Sequence, residues 1–462
     1  MKAVRSGFGW AGLLALGLGT TGQAWAAADA AALGQTLTPA GGEKAANKDG
    51  SIPAWTGTEA PAAGWSYGKK RVDFWPHKAE KAILTIDAAS ADKYAEHLTP
   101  GQLATLKQVP GYRMEVYPSH RDCGVPEFFA ENTKSNVGKA KVAADGWSLA
   151  EATVPGFPFP LPATGVEAMW NSKMRYHGVG IDYPHITTAV SPRRGSNEWI
   201  AAGSEQTFFF PWGAKGSNQL SKLPQVEYYT YFAYASPAAL AGQALALTFY
   251  LNQPGSETFY YFPGQRRVRR MPTYAYDSPQ IGFENQYTLD EPMVFNGTID
   301  RFDWKLVGKK EIYVPYNSFG AYDFATKFED VAQKDFVEPG HRRYELHRVW
   351  VVEASVKAGM RHIAPKRTFY LDEDSWNAVA ADDYDAQGKV FKHREGYLIP
   401  VYETGTCDVM AFAQYNLTEG RYVFDMNPVG SGKDVHWITE SNGQRYKAQF
   451  YTSDNLRAIS ER

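Results

Sequence analysis

The chain has little cysteine: two residues, Cys123 and Cys407, in 462. Neither sits in a C-x-x-C motif, so nothing points to a redox role. A basic excess is also missing, with 48 Lys and Arg against 50 Asp and Glu and a formal net charge of -2. That removes the usual electrostatic footprint of nucleic-acid binding. Beyond the N-terminus no stretch reaches membrane-spanning length without charges. The sequence lacks a G-x-S-x-G elbow, an H-E-x-x-H pair and a G-x-G-x-x-G following a strand. Gly430-Ser431-Gly432-Lys433 lacks the upstream glycine and the following Ser or Thr of a phosphate loop. These absences lower the expectation of an enzyme without removing it, since catalytic groups can converge from distant positions.

What is present begins with an export signal. Lys2 and Arg5 precede the apolar run Phe8–Leu18, and Ala24-Trp25-Ala26 is a small-x-small cleavage site. Residues 1–26 therefore read as a signal peptide cleaved near Ala26, which predicts a soluble periplasmic protein. In an oxidising compartment an isolated cysteine pair favours one disulfide, Cys123 with Cys407; two buried thiols are the alternative. Aromatics are abundant, with 28 Tyr, 25 Phe and 13 Trp. Such content suits strands and apolar grooves, although a large β core would account for much of it.

Residues 27–86 carry turn signals with little periodicity and read as an extended arm. Residues 87–204 read as a helical and proline-rich covering region. Within it, Asp87 is positioned to cap a helix through Tyr94. Thr99-Pro100 is a cap followed by proline at the first helical position. Pro126–Ala144 is a longer helical candidate, and Thr164 with Glu167 forms a capping-box pattern. From about residue 205 to 462 some dozen short strand candidates follow, separated by polar or Gly-containing breaks. That pattern predicts one large β body.

The segment Lys366–Phe391 reads as an antiparallel meander. Phe369 and Leu371 share one face of its first strand, and Val379 and Ala381 share one face of its second. Asp385-Ala386-Gln387-Gly388 is a turn ending in a glycine suited to positive φ. Asp382, Asp383 and Asp385 are read as turn residues accepting backbone hydrogen bonds, not as calcium ligands. Arg266, Arg267, Arg269 and Arg270 crowd one strand. They read either as a charged edge strand protected from pairing, or as a contact for acidic head groups or a partner. His341 and His347 share a strand face and His362 lies on the next, but no fourth ligand is evident. No metal site and no cofactor is expected.

Six segments carry a family resemblance: LTPAGGEKAANKDGSIPAWTG, PGFPFPLPATGVEAMWN, YYFPGQRRVRRMPTYAYD, FDWKLVGKKEIYVPYN, RRYELHRVWVVEA and RTFYLDEDSWNAVAADDYDAQGK. In that order they resemble the bacterial family called domain of unknown function 1329. That family is similar in turn to the LolA/LolB lipoprotein carriers and outer-membrane lipoprotein-sorting proteins. The resemblance implies a mainly β, α+β fold: a strongly curved antiparallel sheet, an incomplete β-barrel, with helices over its concave apolar side. Phe369, Leu371, Val379, Trp350 and Trp304 then become candidates for an apolar ligand-binding wall. The family's expected partners are a lipid or other hydrophobic molecule, an outer-membrane channel and a transporter of the resistance-nodulation-division type. No reaction comes with it, so no catalytic residue is carried over. Two departures stand out. LolB's lipid-anchoring cysteine has no counterpart, and the carriers are far shorter.

The leading expectation is a non-catalytic periplasmic carrier of a hydrophobic molecule. Two alternatives stay open: a secreted hydrolase acting on lipid or polymer, and a structural adaptor of an envelope transport complex.

Overall fold

Residues 226–236, VEYYTYFAYAS, alternate so that Tyr228, Thr230, Phe232 and Tyr234 fall on one side and Tyr229, Tyr231 and Ala233 on the other. With apolar rings on both sides, this strand must be covered twice. The computed structural model, which describes residues 30–461, covers it twice. The expected signal segment 1–26 lies outside the described residues.

Thirteen strands carry the architecture. They are β1 (Gly180–Val190), β2 (Ile200–Phe209), β3 (Val226–Ser236), β4 (Ala244–Tyr250), β5 (Ser256–Phe262) and β6 (Arg267–Arg270), then β7 (Phe302–Pro315), β8 (Tyr344–Val356), β9 (Lys366–Asp372), β10 (Ala378–Tyr384), β11 (Val390–Val401), β12 (Thr406–Asn416) and β13 (Arg421–Asn427). β1 to β6 form one antiparallel meander and β7 to β13 another. Pairing of β13 with β1 fuses them into one sheet, running from β7 through β13 and β1 to β6. β6 and β7 do not pair, so the sheet is an open, curved, mainly antiparallel surface. Short strands Leu84–Ile86 and Met114–Val116 extend it beside β8, and His436–Ile438 extends it beside β1. The strand region thus begins at Gly180, well before the position near 205 that the pattern suggested. The sequence GIDYPHITTAV breaks strict alternation with Pro184, and its pairing shifts register between Tyr183 and Ile186.

The predicted helix starts are present. In α1 (Pro100–Gln108) Thr99 and Gln102 close a capping box with Pro100 at the first position. In α3 (Gly165–Lys173) Thr164 and Glu167 do the same. Asp87 accepts from the Ala89 and Ser90 amides at 3.1 and 2.9 Å, but the turns after it, Ala91–His97, are 3-10. α2 (Glu127–Asn136) is shorter than the expected Pro126–Ala144. Gly138 takes φ +72° just after it, and the Asn136 amide group turns to the Thr153 and Phe157 carbonyls.

The two faces are covered differently. Tyr229 and Tyr231 on the outer face of β3 pack on Tyr451 and Phe450, which lead into the C-terminal helix Ser453–Ser460. The inner face of β2 to β4 lies under the crossover, residues 271–301, that joins the two meanders. α3 docks on the inner face at β7, where a Cβ on Gly165 would stand 2.6 Å from the Trp304 carbonyl carbon. α1 packs on the opposite face, because its N-terminus meets Asp382 and the neighbouring Asp383 points inward. Helices therefore do not all sit on one side. Cys123 and Cys407 form a disulfide across a sequence separation of 284.

Candidate functional site

The inner faces of β2, β3 and β4 do not pack flush against the crossover. They leave a cavity of about 70 Å³. Phe208, Tyr228, Phe232, Leu245, Leu247 and Phe249 of the sheet form its wall, and Tyr287, Leu289 and Met293 of the crossover form its cover. The sequence builds this wall simply: apart from Gln206 and Thr230, the alternate residues of three adjacent strands that line it are aromatic or branched aliphatic. Polar groups also reach it: Gln206, Thr230, Gln280, Asn296 and Asp425. Asp425, on β13, accepts from Thr188 Oγ1 and from Tyr287 Oη at 3.0 Å. Burial raises the Asp425 carboxyl above its ordinary range in spite of those bonds.

A second, smaller cavity of about 30 Å³ adjoins the first through Phe208, Tyr228, Met293 and Asn296, which line both. Its far side is charged. Lys173, at the end of α3, lies 3.0 Å from Glu227, and His177 Nδ1 lies 2.7 Å from Asp408. Arg175 stands beside them with its Nε buried and without a hydrogen-bond partner. Together the two spaces form an apolar chamber with a polar end.

The stretch Asp290–Val294 of the crossover is held by buried charge. Asp290 accepts from Arg367 Nη1 at 2.6 Å and lies 2.8 Å from His362 Nε2. Glu291 accepts from Lys392 Nζ at 2.7 Å and Gln414 Nε2 at 3.0 Å. Arg394 Nε donates to the Val294 carbonyl at 3.0 Å. Behind them Asp383 accepts from Arg367 Nε at 3.0 Å and Arg394 Nη2 at 2.6 Å. Burial would raise the Asp290 and Asp383 carboxyls; the guanidinium groups outweigh it and hold both below the usual range. The same segment holds five of the nine left-handed non-glycine residues among those described: Tyr276, Glu284, Asn285, Met293 and Val294. Such backbone persists only where its surroundings fix it, and each instance costs on the order of 1 kcal/mol or more.

The expected wall residues lie elsewhere. Phe369, Leu371 and Val379 are fully buried, and Trp350 nearly so. Phe369 packs on Phe295 and Trp304 with ring centres 5.0 and 5.6 Å away. Trp350 stacks on Trp376 at 5.7 Å. None of the five lines either cavity. They belong to tightly packed parts of the sheet, and the open space lies across β13 and β1, in the other meander.

Two further readings change. Of the three aspartates, only Asp385 forms the turn, accepting from the Gln387 and Lys389 amides, with Gly388 at φ +76°. Asp382 and Asp383 are on β10, fully buried, and paired with His393 and with Arg367 and Arg394. Arg266 is not on the strand but in the turn before it, at φ +50°. Arg267, Arg269 and Arg270 form β6, the exposed edge of the sheet. Arg270 pairs with Glu257 at 3.0 Å.

His347 bonds Glu345 at 3.1 Å and stacks on Tyr316, while His362 bonds Asp290 and the Ala364 backbone. No Ser, Thr or Cys side chain bonds either ring among the described residues. His341 joins neither. Among the described residues only His77, His120 and Asp122 bring three His, Cys, Asp or Glu donors within reach of one ion. No helix among them is long and apolar enough to cross a membrane.

The described residues thus form a mainly β protein built on one open, curved antiparallel sheet. The chain belongs to the family described as protein of unknown function DUF1329, whose sequence model matches residues 85–457. It is 38% identical over 418 residues to an uncharacterized protein of Pseudomonas aeruginosa, covering 89% of this chain and 90% of that one. Two solved structures are similar at low identity. A Vibrio parahaemolyticus domain named for outer membrane lipoprotein sorting has 12% identity and a TM-score of 0.43, covering 63% of this chain and 98% of its own. A DUF1329 family protein from Desulfovibrio piger has 13% identity and a TM-score of 0.38, covering 60% and 90%. The family the sequence segments resemble is thus the one whose model matches.

Proposed function

We propose that this protein carries a hydrophobic or amphiphilic molecule through an exported compartment, without performing chemistry on it. The observation that carries the reading is the aromatic-lined chamber between β2–β4 and the crossover. An acyl chain gains about 0.8 kcal/mol for each methylene taken out of water. Ten methylenes thus supply about 8 kcal/mol before the cost of ordering the chain and the protein. The apolar chamber would take the tail, and the Lys173, Arg175 and His177 end would take a polar head.

The cavity of about 70 Å³ holds only a few waters or methylenes. A lipid tail therefore requires the crossover to lift. The buried ion pairs at Asp290 and Glu291 anchor the crossover beside its cover residues Tyr287, Leu289 and Met293, so opening the chamber must break those pairs. Release to a partner then needs a more favourable acceptor and an open crossover. The export signal read in the sequence supports a periplasmic setting for such traffic. Its partners would be an outer-membrane channel and a resistance-nodulation-division type transporter. The exposed arginines of β6, separated from the chamber wall by β5, are the surface offered to acidic head groups or to that partner.

Native mass spectrometry of protein purified without detergent tests this. Bound adducts of lipid mass, released by organic extraction, are expected. Protein that is adduct-free and takes up neither lipid nor an apolar dye would overturn the reading.

A further inference from the structure

The arm that precedes the first helices meets the body at a cluster of groups which the chamber does not use. His77 and Glu80 lie on the arm; His120 and Asp122 lie just before the disulfide residue Cys123. The His77 and His120 rings stack with centres 3.6 Å apart. Glu80 Oε1 is 2.7 Å from His120 Nε2 and 3.7 Å from His77 Nδ1. One donor atom each of His77, His120 and Asp122 lies within 4.8 Å of the others.

We propose that His77, His120 and Asp122, with Glu80 as a fourth donor, form a site for a divalent transition-metal ion that clamps the arm to the body. Two imidazoles with carboxylates are a donor set suited to zinc or copper(II) and poorly suited to calcium or magnesium. Tetrahedral donors about 2.1 Å from an ion stand about 3.4 Å apart, so the trio must close by up to about 1.4 Å, and one of the stacked rings, His77 on the arm, must turn to aim its in-plane lone pair at the ion.

The surroundings favour that role. Each carboxylate has one oxygen held by an outer donor. Trp75 Nε1 donates to Asp122 Oδ2 at 2.8 Å, and Arg343 Nη2 donates to Glu80 Oε2 at 2.6 Å. Orientation of ligand carboxylates by such outer hydrogen bonds is a common feature of metal centres. Asp122 is nearly buried, while the two histidines and Glu80 keep side-chain exposures of 32, 19 and 25%. An ion therefore has an entry path and a solvent-facing coordination position.

The test uses the full mature chain, stripped with chelator and titrated with zinc at pH 7.5. The expected result is one zinc per chain by elemental analysis after dialysis. His77→Gln and His120→Gln should each weaken binding at least tenfold, and Trp75→Phe about 10- to 100-fold through the outer hydrogen bond. His97→Gln, whose ring bonds the Glu311 carbonyl elsewhere, should bind as wild type does. Cobalt(II) added to the wild type alone provides a second readout, a visible ligand-field band that zinc displaces. Wild type that retains no zinc, or folded His77→Gln and His120→Gln variants that bind as tightly as wild type, would overturn the proposal. If either variant fails to fold, absence of the cobalt band in wild type would overturn it on its own.

Discussion

Replacing Asp290 with asparagine removes one of three buried carboxylates that balance three buried cations under the crossover. Asp290, Glu291 and Asp383 face Arg367, Lys392 and Arg394, and all six are at most 2% exposed. The asparagine keeps an oxygen for one hydrogen bond. It loses the charge that binds Arg367 at 2.6 Å and His362 at 2.8 Å. Arg367 is then left with Asp383, which it already shares with Arg394. Breaking a buried pair in this way typically costs about 3–5 kcal/mol. The location of the loss matters more than its size. Asp290 lies on the crossover, so lifting that segment re-solvates the orphaned guanidinium without unfolding the sheet. A local opening equilibrium displaced by about 3 kcal/mol moves more than 100-fold. Hydrogen exchange followed by mass spectrometry should show faster exchange in peptides from 271–299, with the β8–β12 core close to wild type. Uptake of an apolar dye should rise in parallel. If crossover peptides stay as protected as in wild type while global stability falls, the crossover does not open separately and the gating argument fails.

Other perturbations read other parts of the account. Cys123→Ser or Cys407→Ser opens a loop of sequence separation 284. The chain-entropy model gives a loss of at most about 6 kcal/mol in urea unfolding, and an unchanged midpoint would show that the bridge adds nothing. Gly101→Ala places a Cβ 1.9 Å from Asp382 Oδ1 and 2.5 Å from His393 Nδ1, both buried. Alanine ordinarily favours a helix over glycine, but here the clash should lower stability by about 1–3 kcal/mol or more in a thermal melt. Burial, and then the Asp374 charge, raise Asp372 to about 7 from an ordinary value of 3.8. The folded state thus binds that proton more tightly than the unfolded state. Its stabilising effect is complete below about pH 4 and is lost as pH rises through 7. Asp372→Asn should therefore gain on wild type as pH rises from 4 to 7, by on the order of a few kcal/mol; a difference that does not change with pH would refute this.

Much of the fold was legible because its signals are local. Thr99-Pro100-x-Gln102 and Thr164-x-x-Glu167 are helix starts within four residues, and both formed as read. The Asp385–Gly388 turn is equally local. Asp382 and Asp383 were misread because their partners are distant. Arg394 is eleven residues away on the next strand, and Thr99 is 283 residues away on α1. A run of acidic residues before a glycine looks the same whether solvated or buried against guanidinium groups. The chamber was missed for a related reason. Its wall alternates along β2, β3 and β4 as any packed strand does, and the space depends on how closely residues 271–296 approach. The His77, His120 and Asp122 cluster has no sequence spacing to reveal it, since the arm folds back over more than forty residues to make it.

The central claim is that the chamber under the crossover is a binding site. The direct measurement is titration of delipidated protein with a fluorescent fatty acid, for the wild type and for Leu247→Trp, which fills the chamber from its wall. The account predicts one saturable site in the wild type and binding at least tenfold weaker in the folded variant. Equal binding by the two proteins, or none by the wild type, would contradict it.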